Sequence, residues 1–193
     1  LKGNDSLCCF ELKSSEKRIF DKTYKMLWGP SDSIRDQYNS LLLHLTEKRK
    51  QRNVSVEFRV YNDGVAFRTS LTDTTGPVEV LSEDTYFNFV NDNTCWWIWA
   101  DYNTLEKLYT KTSLLKAKHV AAPFTMQTGK GTCMSIHEAA LVNYSMMTLR
   151  QNDNDSLSFK VNLTPGDTTN PRHQTPVRTQ TPFSTPWRII YIT

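Results

Sequence analysis

Val54-Ser55-Val56-Glu57-Phe58-Arg59-Val60-Tyr61 runs into Asn62-Asp63-Gly64 and then into Val65-Ala66-Phe67-Arg68-Thr69. The leading segment alternates strictly. Val54, Val56, Phe58 and Val60 share one face, and Ser55, Glu57, Arg59 and Tyr61 share the other, the period-2 signature of a half-buried strand. Asn-Asp-Gly is a turn signal, and its glycine can take positive φ at no steric cost. The alternation then resumes. The stretch predicts a β-hairpin, and Arg59 and Arg68 on its two arms read as salt-bridging residues of one sheet.

Strand patterns recur at Ser40–Leu45, Val78–Leu81, Tyr86–Val90, Cys95–Ala100, Cys133–Leu141, Met146–Leu149, Leu157–Leu163 and Trp187–Ile192. Turn-forming residues lie between them, as in Thr74-Thr75-Gly76-Pro77 and Gln151-Asn152-Asp153-Asn154-Asp155. Many short strands separated by turn signals predict a mostly β fold of the sandwich or barrel kind. Only Asn103–Lys111 has helical character, with Leu105, Leu108 and Tyr109 at i, i+3 and i+4. The Pro/Thr-rich stretch from Thr164 to Pro186 reads as a long, stiff loop. Nothing resembles a linker, so residues 1–193 are expected to form a single domain.

Composition agrees with a folded chain. Five Trp, eight Tyr and nine Phe supply ample apolar surface, and the net charge is only +3. The basic run Lys48-Arg49-Lys50-Gln51-Arg52 reads as a solvated loop between apolar stretches, so no nucleic-acid partner is expected. No segment approaches the roughly 20 apolar residues of a membrane span. The chain begins at Leu1, which implies processing or truncation upstream, and no signal peptide is visible. Cys8, Cys9, Cys95 and Cys133 have no zinc spacing. Either Cys8 or Cys9 could bridge to Cys95 or Cys133, or all four could be free.

Several constellations invite a chemical reading. Ser135-Ile136-His137-Glu138-Ala139-Ala140-Leu141 falls short of H-E-x-x-H, because Leu141 stands where the second metal-binding His would be. As a strand it puts Ile136, Glu138 and Ala140 on one face and His137, Ala139 and Leu141 on the other. A carboxylate among apolar neighbours needs a cation or several donors, so Glu138 is either exposed, ion-paired or a ligand. Cys95-Trp96-Trp97-Ile98-Trp99 could stack on sugar rings, with Trp97 and Trp99 the candidate carbohydrate-binding residues. Core or interface packing is the alternative for those rings and for Trp187. No nucleophile elbow and no phosphate-cradling loop is present, so no catalytic residue is assigned.

Taken in order, the motifs resemble the N-terminal domain of glycoside hydrolase family 97. The resemblance is carried by Tyr24-Lys25-Met26-Leu27-Trp28-Gly29, Ile34-Arg35-Asp36-Gln37-Tyr38-Asn39 and, most specifically, Phe58–Arg68. It continues through Pro123-Phe124-Thr125, Glu138-Ala139-Ala140-Leu141-Val142-Asn143-Tyr144 and Thr185-Pro186-Trp187-Arg188-Ile189-Ile190. It implies a large antiparallel β-sandwich of the galactose mutarotase-like kind, packed against a catalytic (β/α)8 barrel that hydrolyses α-glucosides, α-galactosides or related oligosaccharides. It also implies a calcium ion at the active site, to which Glu138 lends one ligand in the intact enzyme, and a periplasmic or secreted location. The barrel has no counterpart in these residues. The strands that ordinarily precede Leu27-Trp28-Gly29 are expected to be absent or shortened, leaving an incomplete sandwich open to self-association.

Three functions therefore compete. The first is a non-catalytic domain of an α-glycoside hydrolase, inactive alone and without tightly bound calcium. The second is a stand-alone carbohydrate-binding module using Trp96, Trp97 or Trp99. The third is a mutarotase-like epimerase pairing His137 or His119 with Glu138.

Overall fold

The computed structural model describes residues 5–167, 169 and 174–193. In chain order its strands are β1 (Phe10–Lys25), β2 (Ser33–Glu47), β3 (Arg52–Tyr61), β4 (Gly64–Val80), β5 (Tyr86–Asn88), β6 (Thr94–Trp97) and β7 (Thr110–Ser113). They continue as β8 (His119–Ala121), β9 (Phe124–Gln127), β10 (Cys133–Ala139), β11 (Met147–Asn152), β12 (Asp155–Leu163), β13 (Val177–Ser184) and β14 (Trp187–Ile192). All pairings are antiparallel and form two sheets. The ten-stranded sheet follows the order β1-β2-β3-β4-β14-β10-β9-β6-β7, with β13 beside β4, and the four-stranded sheet follows β5-β12-β11-β8. Among the described residues the only helical turn is the 3-10 turn Leu114–Lys116, so none is long and apolar enough to cross a membrane.

The decisive hairpin forms as its pattern predicts. β3 pairs with β4 in register from Val54↔Leu71 to Tyr61↔Gly64, leaving Asn62-Asp63 as the turn. The glycine serves a different purpose from the one expected. Gly64 does not have positive φ. A Cβ there would collide with the Ile190 carbonyl oxygen and lie 3.3 Å from its carbon. Gly64 therefore lets β14 approach β4, where Tyr191 pairs with it directly.

The small sheet lies over one half of the large one, and the core fills the space between. Cys95, Phe124, Met126 and Ile136 of the large sheet meet Phe87, Val120, Met147, Leu149, Phe159 and Val161 of the small sheet. Phe159 is fully buried, with ring centroids 5.2 Å from Phe124 and 6.1 Å from Phe89. None of that cluster comes from β1, β2 or β3. Those strands extend the large sheet past the edge of the small one, and Ile19 on β1 is 83% exposed.

Three expectations change. A sixteen-residue strand, β1, precedes Leu27-Trp28-Gly29 where strands were expected to be missing or short. Its pattern is unreadable because it is an edge strand, mostly exposed on both faces and rich in charge. The stretch around Asn103–Lys111 is not helical. Leu105 and Leu108 are exposed, so no apolar face is buried to stabilise a helix. The Asp101 carboxylate instead accepts from the Asn103 N–H and the Lys107 ammonium. Finally, part of the Thr164–Pro186 stretch is strand. β13 pairs with the far end of β4, from Val177↔Val80 to Ser184↔Ser70. The register shifts around Pro182, which has no N–H to give to a ladder.

Candidate functional site

Glu138 on β10 and Arg188 on β14 are directly opposed in register, so their side chains share the core-facing surface of the large sheet. Ile136 beside Glu138 is buried while His137 and Ala139 are exposed, as the strand alternation requires. Arg188 is only 1% exposed. Its Nη1 donates to Glu138 Oε2 at 2.6 Å, and its Nε donates to Glu83 Oε1 at 2.9 Å. Its Nη2 donates to Glu83 Oε2. The other Glu138 oxygen accepts the Met147 N–H at 3.0 Å.

One guanidinium thus pairs with two carboxylates from two different segments, the buried Glu138 and the partly buried Glu83. Burial works against the charged form of Arg188, but Glu83 and then Glu138 outweigh it and raise the pKa. The Tyr144 ring lies 5.9 Å from the guanidinium, and its hydroxyl donates to Glu83 Oε2 at 3.4 Å. Burial, with the Glu83 carboxylate beside it, holds this phenol above its usual range. Glu83, Tyr144 and Arg188 also line a cavity of about 550 Å3 whose other walls are both apolar, as at Phe67 and Phe183, and polar, as at Ser82 and Thr85. Glu83 had no sequence signal, because a Glu in the polar segment Leu81-Ser82-Glu83-Asp84-Thr85 resembles any solvated loop.

The cluster does not by itself make a calcium site. Calcium takes six to eight oxygens. Among the described residues no group of three or more His, Cys, Asp or Glu could hold a metal. Each Glu138 oxygen already accepts one hydrogen bond, which leaves one acceptor direction on each.

On the outer face of the large sheet, Glu57 joins the hairpin arms. It accepts from Arg59 Nε at 3.0 Å along its own strand and from Arg68 Nη2 at 2.8 Å across to β4, so only Arg68 makes the cross-sheet bridge expected of the two arginines. Both guanidinium groups lie over Trp187, at 4.3 and 4.4 Å from its centroid. Trp187 is accordingly packed and buried.

The Trp cluster divides. Trp97 packs against the core, and its Nε1 donates to Thr112 Oγ1 at 2.9 Å. The strand ends there, Ile98 turns inward, and Trp99 is left 52% exposed, bridged to Val120. Trp99 meets His119 edge-on at 6.0 Å, and His119 bonds Thr148 Oγ1 at 2.9 Å. Burial, then the nearby Arg150, holds the His119 pKa below its ordinary value. We expect Trp97→Ala to cost about 3 kcal/mol of stability, and Trp99→Ala less than about 1 kcal/mol. Urea midpoints of the two variants check this, and equal losses would contradict the divided placement.

Neither histidine is placed for acid–base work with Glu138. His137 points out of the opposite face, and His119 bonds Thr148 and lies against Asn162. All four cysteines are free, with Cys95 buried in the core. The basic run forms the turn between β2 and β3, tied down by the buried Glu47, which accepts the Arg49 and Lys50 N–H groups at 2.9 Å.

Comparison with known proteins matches this architecture. The family description "Glycosyl-hydrolase 97 N-terminal" covers residues 1–193. A retaining alpha-galactosidase of Bacteroides thetaiotaomicron is 27% identical over 148 residues, covering 69% of this chain and 22% of that protein. A glycoside hydrolase family 97 enzyme from Pseudoalteromonas sp. strain K8, solved in complex with acarbose, superposes with a TM-score of 0.86 at 32% identity. That superposition covers 95% of this chain and 28% of the enzyme. A beta-arabinopyranosidase shares the fold with a TM-score of 0.84 at 20% identity, over 95% of this chain and 32% of that one. The chain thus spans less than a third of each of these relatives, and it belongs to the N-terminal domain family of glycoside hydrolase 97.

Proposed function

We propose that this chain is the non-catalytic β-sandwich wall of an α-glycoside hydrolase, packed beside a catalytic (β/α)8 barrel, with Glu138 lending one calcium ligand in the intact enzyme. The supporting observation is the placement of Glu138. It is a carboxylate held rigid by Arg188 and the Met147 N–H, next to a loop that begins at Ala140 with φ of 55°. That loop carries Leu141 and Val142 outward, both exposed, as an apolar tip suited to docking on another domain. The chemistry, on α-glucosides, α-galactosides or related oligosaccharides, would fall to the barrel, whose carboxylates would act as acid and nucleophile or base. The same resemblance leads us to place the protein in the periplasm or outside the cell, and to assign any self-association of the isolated chain to the uncovered β1–β3 half of the large sheet.

Isothermal titration of the chain with calcium tests the ligand assignment. A single carboxylate supplies one or two of the oxygens calcium needs, so no micromolar site is expected. A micromolar site that disappears in Glu138→Gln would mean a complete local calcium centre and would contradict the proposal.

A further inference from the structure

Cys8 and Cys9 lie in the segment just before β1, which crosses the turn between β2 and β3. The segment is fastened at both ends. Asp5 accepts from Arg52 Nη1 at 2.9 Å and Lys50 Nζ at 2.8 Å, and the Cys9 carbonyl accepts the Lys48 N–H at 3.2 Å. Adjacent side chains in an extended strand point to opposite faces, so neighbouring thiols ordinarily stay apart. Here Cys9 takes φ of 57°, in the left-handed region that non-glycine residues seldom occupy. The two sulfurs are brought to 3.4 Å. Cys9 is exposed and Cys8 half-buried, and the Ser6 hydroxyl lies 3.8 Å from Cys8 Sγ. Neither thiol packs in the core, unlike Cys95.

We propose that Cys8 and Cys9 form a vicinal dithiol that closes reversibly to a disulfide by exchange with low-molecular-weight disulfides such as oxidised glutathione. The Cys8 thiolate attacks one sulfur of the small disulfide, forming a mixed disulfide and expelling a thiolate that takes a proton from solvent. Cys9 loses its proton and attacks Cys8 Sγ, expelling the second small thiol. Two electrons leave the protein, and one small disulfide becomes two thiols. Contact with Cys9, then Ser6 and Arg49, lowers the Cys8 pKa, while the same contact raises that of Cys9. The contact thus favours one thiolate of the pair over the other, and in the proposed sequence Cys8 opens the exchange and Cys9, 3.4 Å away, resolves it.

The bridge would be a switch and not a staple. Adjacent Cα atoms are about 3.8 Å apart, below the roughly 4.4–6.8 Å that ordinary disulfides span. The closed ring is strained and easily reduced. Closing it brings the sulfurs to about 2.0 Å, which must rotate the backbone of the arm. Asp5, Ser6, Leu7 and Phe10 of that arm wall the cavity that ends at Glu83 and Arg188.

The test is to incubate the folded chain with oxidised glutathione, then to measure intact mass and titrate thiols with Ellman's reagent. The expected product has lost two hydrogens and two titratable thiols, with the bridge mapped inside one peptide containing residues 8 and 9. Dithiothreitol should restore it, and Cys133→Ser should behave as the parent. Cys9→Ser and Cys8→Ser should each stop at a glutathione adduct on the remaining thiol. Lasting adducts without ring closure, a bridge through Cys133 or between two chains, or no reaction at all would each overturn the proposal.

Discussion

Arg188→Met is expected to lower the unfolding free energy of the domain by about 3–5 kcal/mol, the usual cost of removing one partner from a buried ionic cluster. The reason is the charge left behind. Arg188 supplies hydrogen bonds to both Glu83 and Glu138 from a position 1% exposed to solvent. Without it, the buried Glu138 and the partly buried Glu83 lose the cation they share. Each must then keep its charge uncompensated or take up a proton, and either outcome favours the unfolded chain. A triple variant, Arg188→Met with Glu83→Gln and Glu138→Gln, should recover a large part of the loss, because the desolvated charge is gone. Urea unfolding of the single and triple variants distinguishes the cases. A single variant within about 0.5 kcal/mol of the parent would mean that water reaches the cluster.

Phe159→Ala should cost a similar amount, about 3–5 kcal/mol. Phe159 stands on β12 at the centre of the contact between the sheets, with its ring against Phe124 and Phe89 and no surface exposed. Truncation loses the buried area and leaves a void that sheets pinned by ladders on both sides cannot close. Ile19→Ala on β1 removes an aliphatic side chain from the same domain but should change stability by no more than about 0.5 kcal/mol, because Ile19 is 83% exposed. The contrast tests where the core lies. Comparable losses at Phe159 and Ile19 would show that β1 to β3 are covered by a second layer in solution.

The sequence was legible where one sheet face is buried and the other wet. Val54 to Thr69 shows this best, because the turn and the alternation fix the register of β3 on β4 together. β14 was read to its full length for the same reason. Legibility failed at the edges. β1 buries neither face, so selection for a core left no period in Phe10–Lys25. β13 hid its alternation, Val177, Thr179, Thr181 and Phe183, between prolines that argue for a loop. At the candidate site, strand parity put Glu138 on one face with Ile136, and the burial of Ile136 turns that face inward. The partners that decide its state were not legible. Arg188 lies fifty positions away in sequence, and Glu83 rests in a loop with no pattern. An unbroken strand would put Trp97 and Trp99 on one face, but the strand ends between them and only Trp97 is packed.

On the proposed reading, this sandwich holds Glu138 in place while the chemistry belongs to another domain. That division of labour is tested most directly by incubating the purified chain with aryl α-galactosides and α-glucosides in the presence of calcium and measuring phenol release. No release above a protein-free control is expected, for the parent and for Glu138→Gln alike. Turnover by the parent that is lost in Glu138→Gln would contradict that division, because a working active site would then lie within these residues.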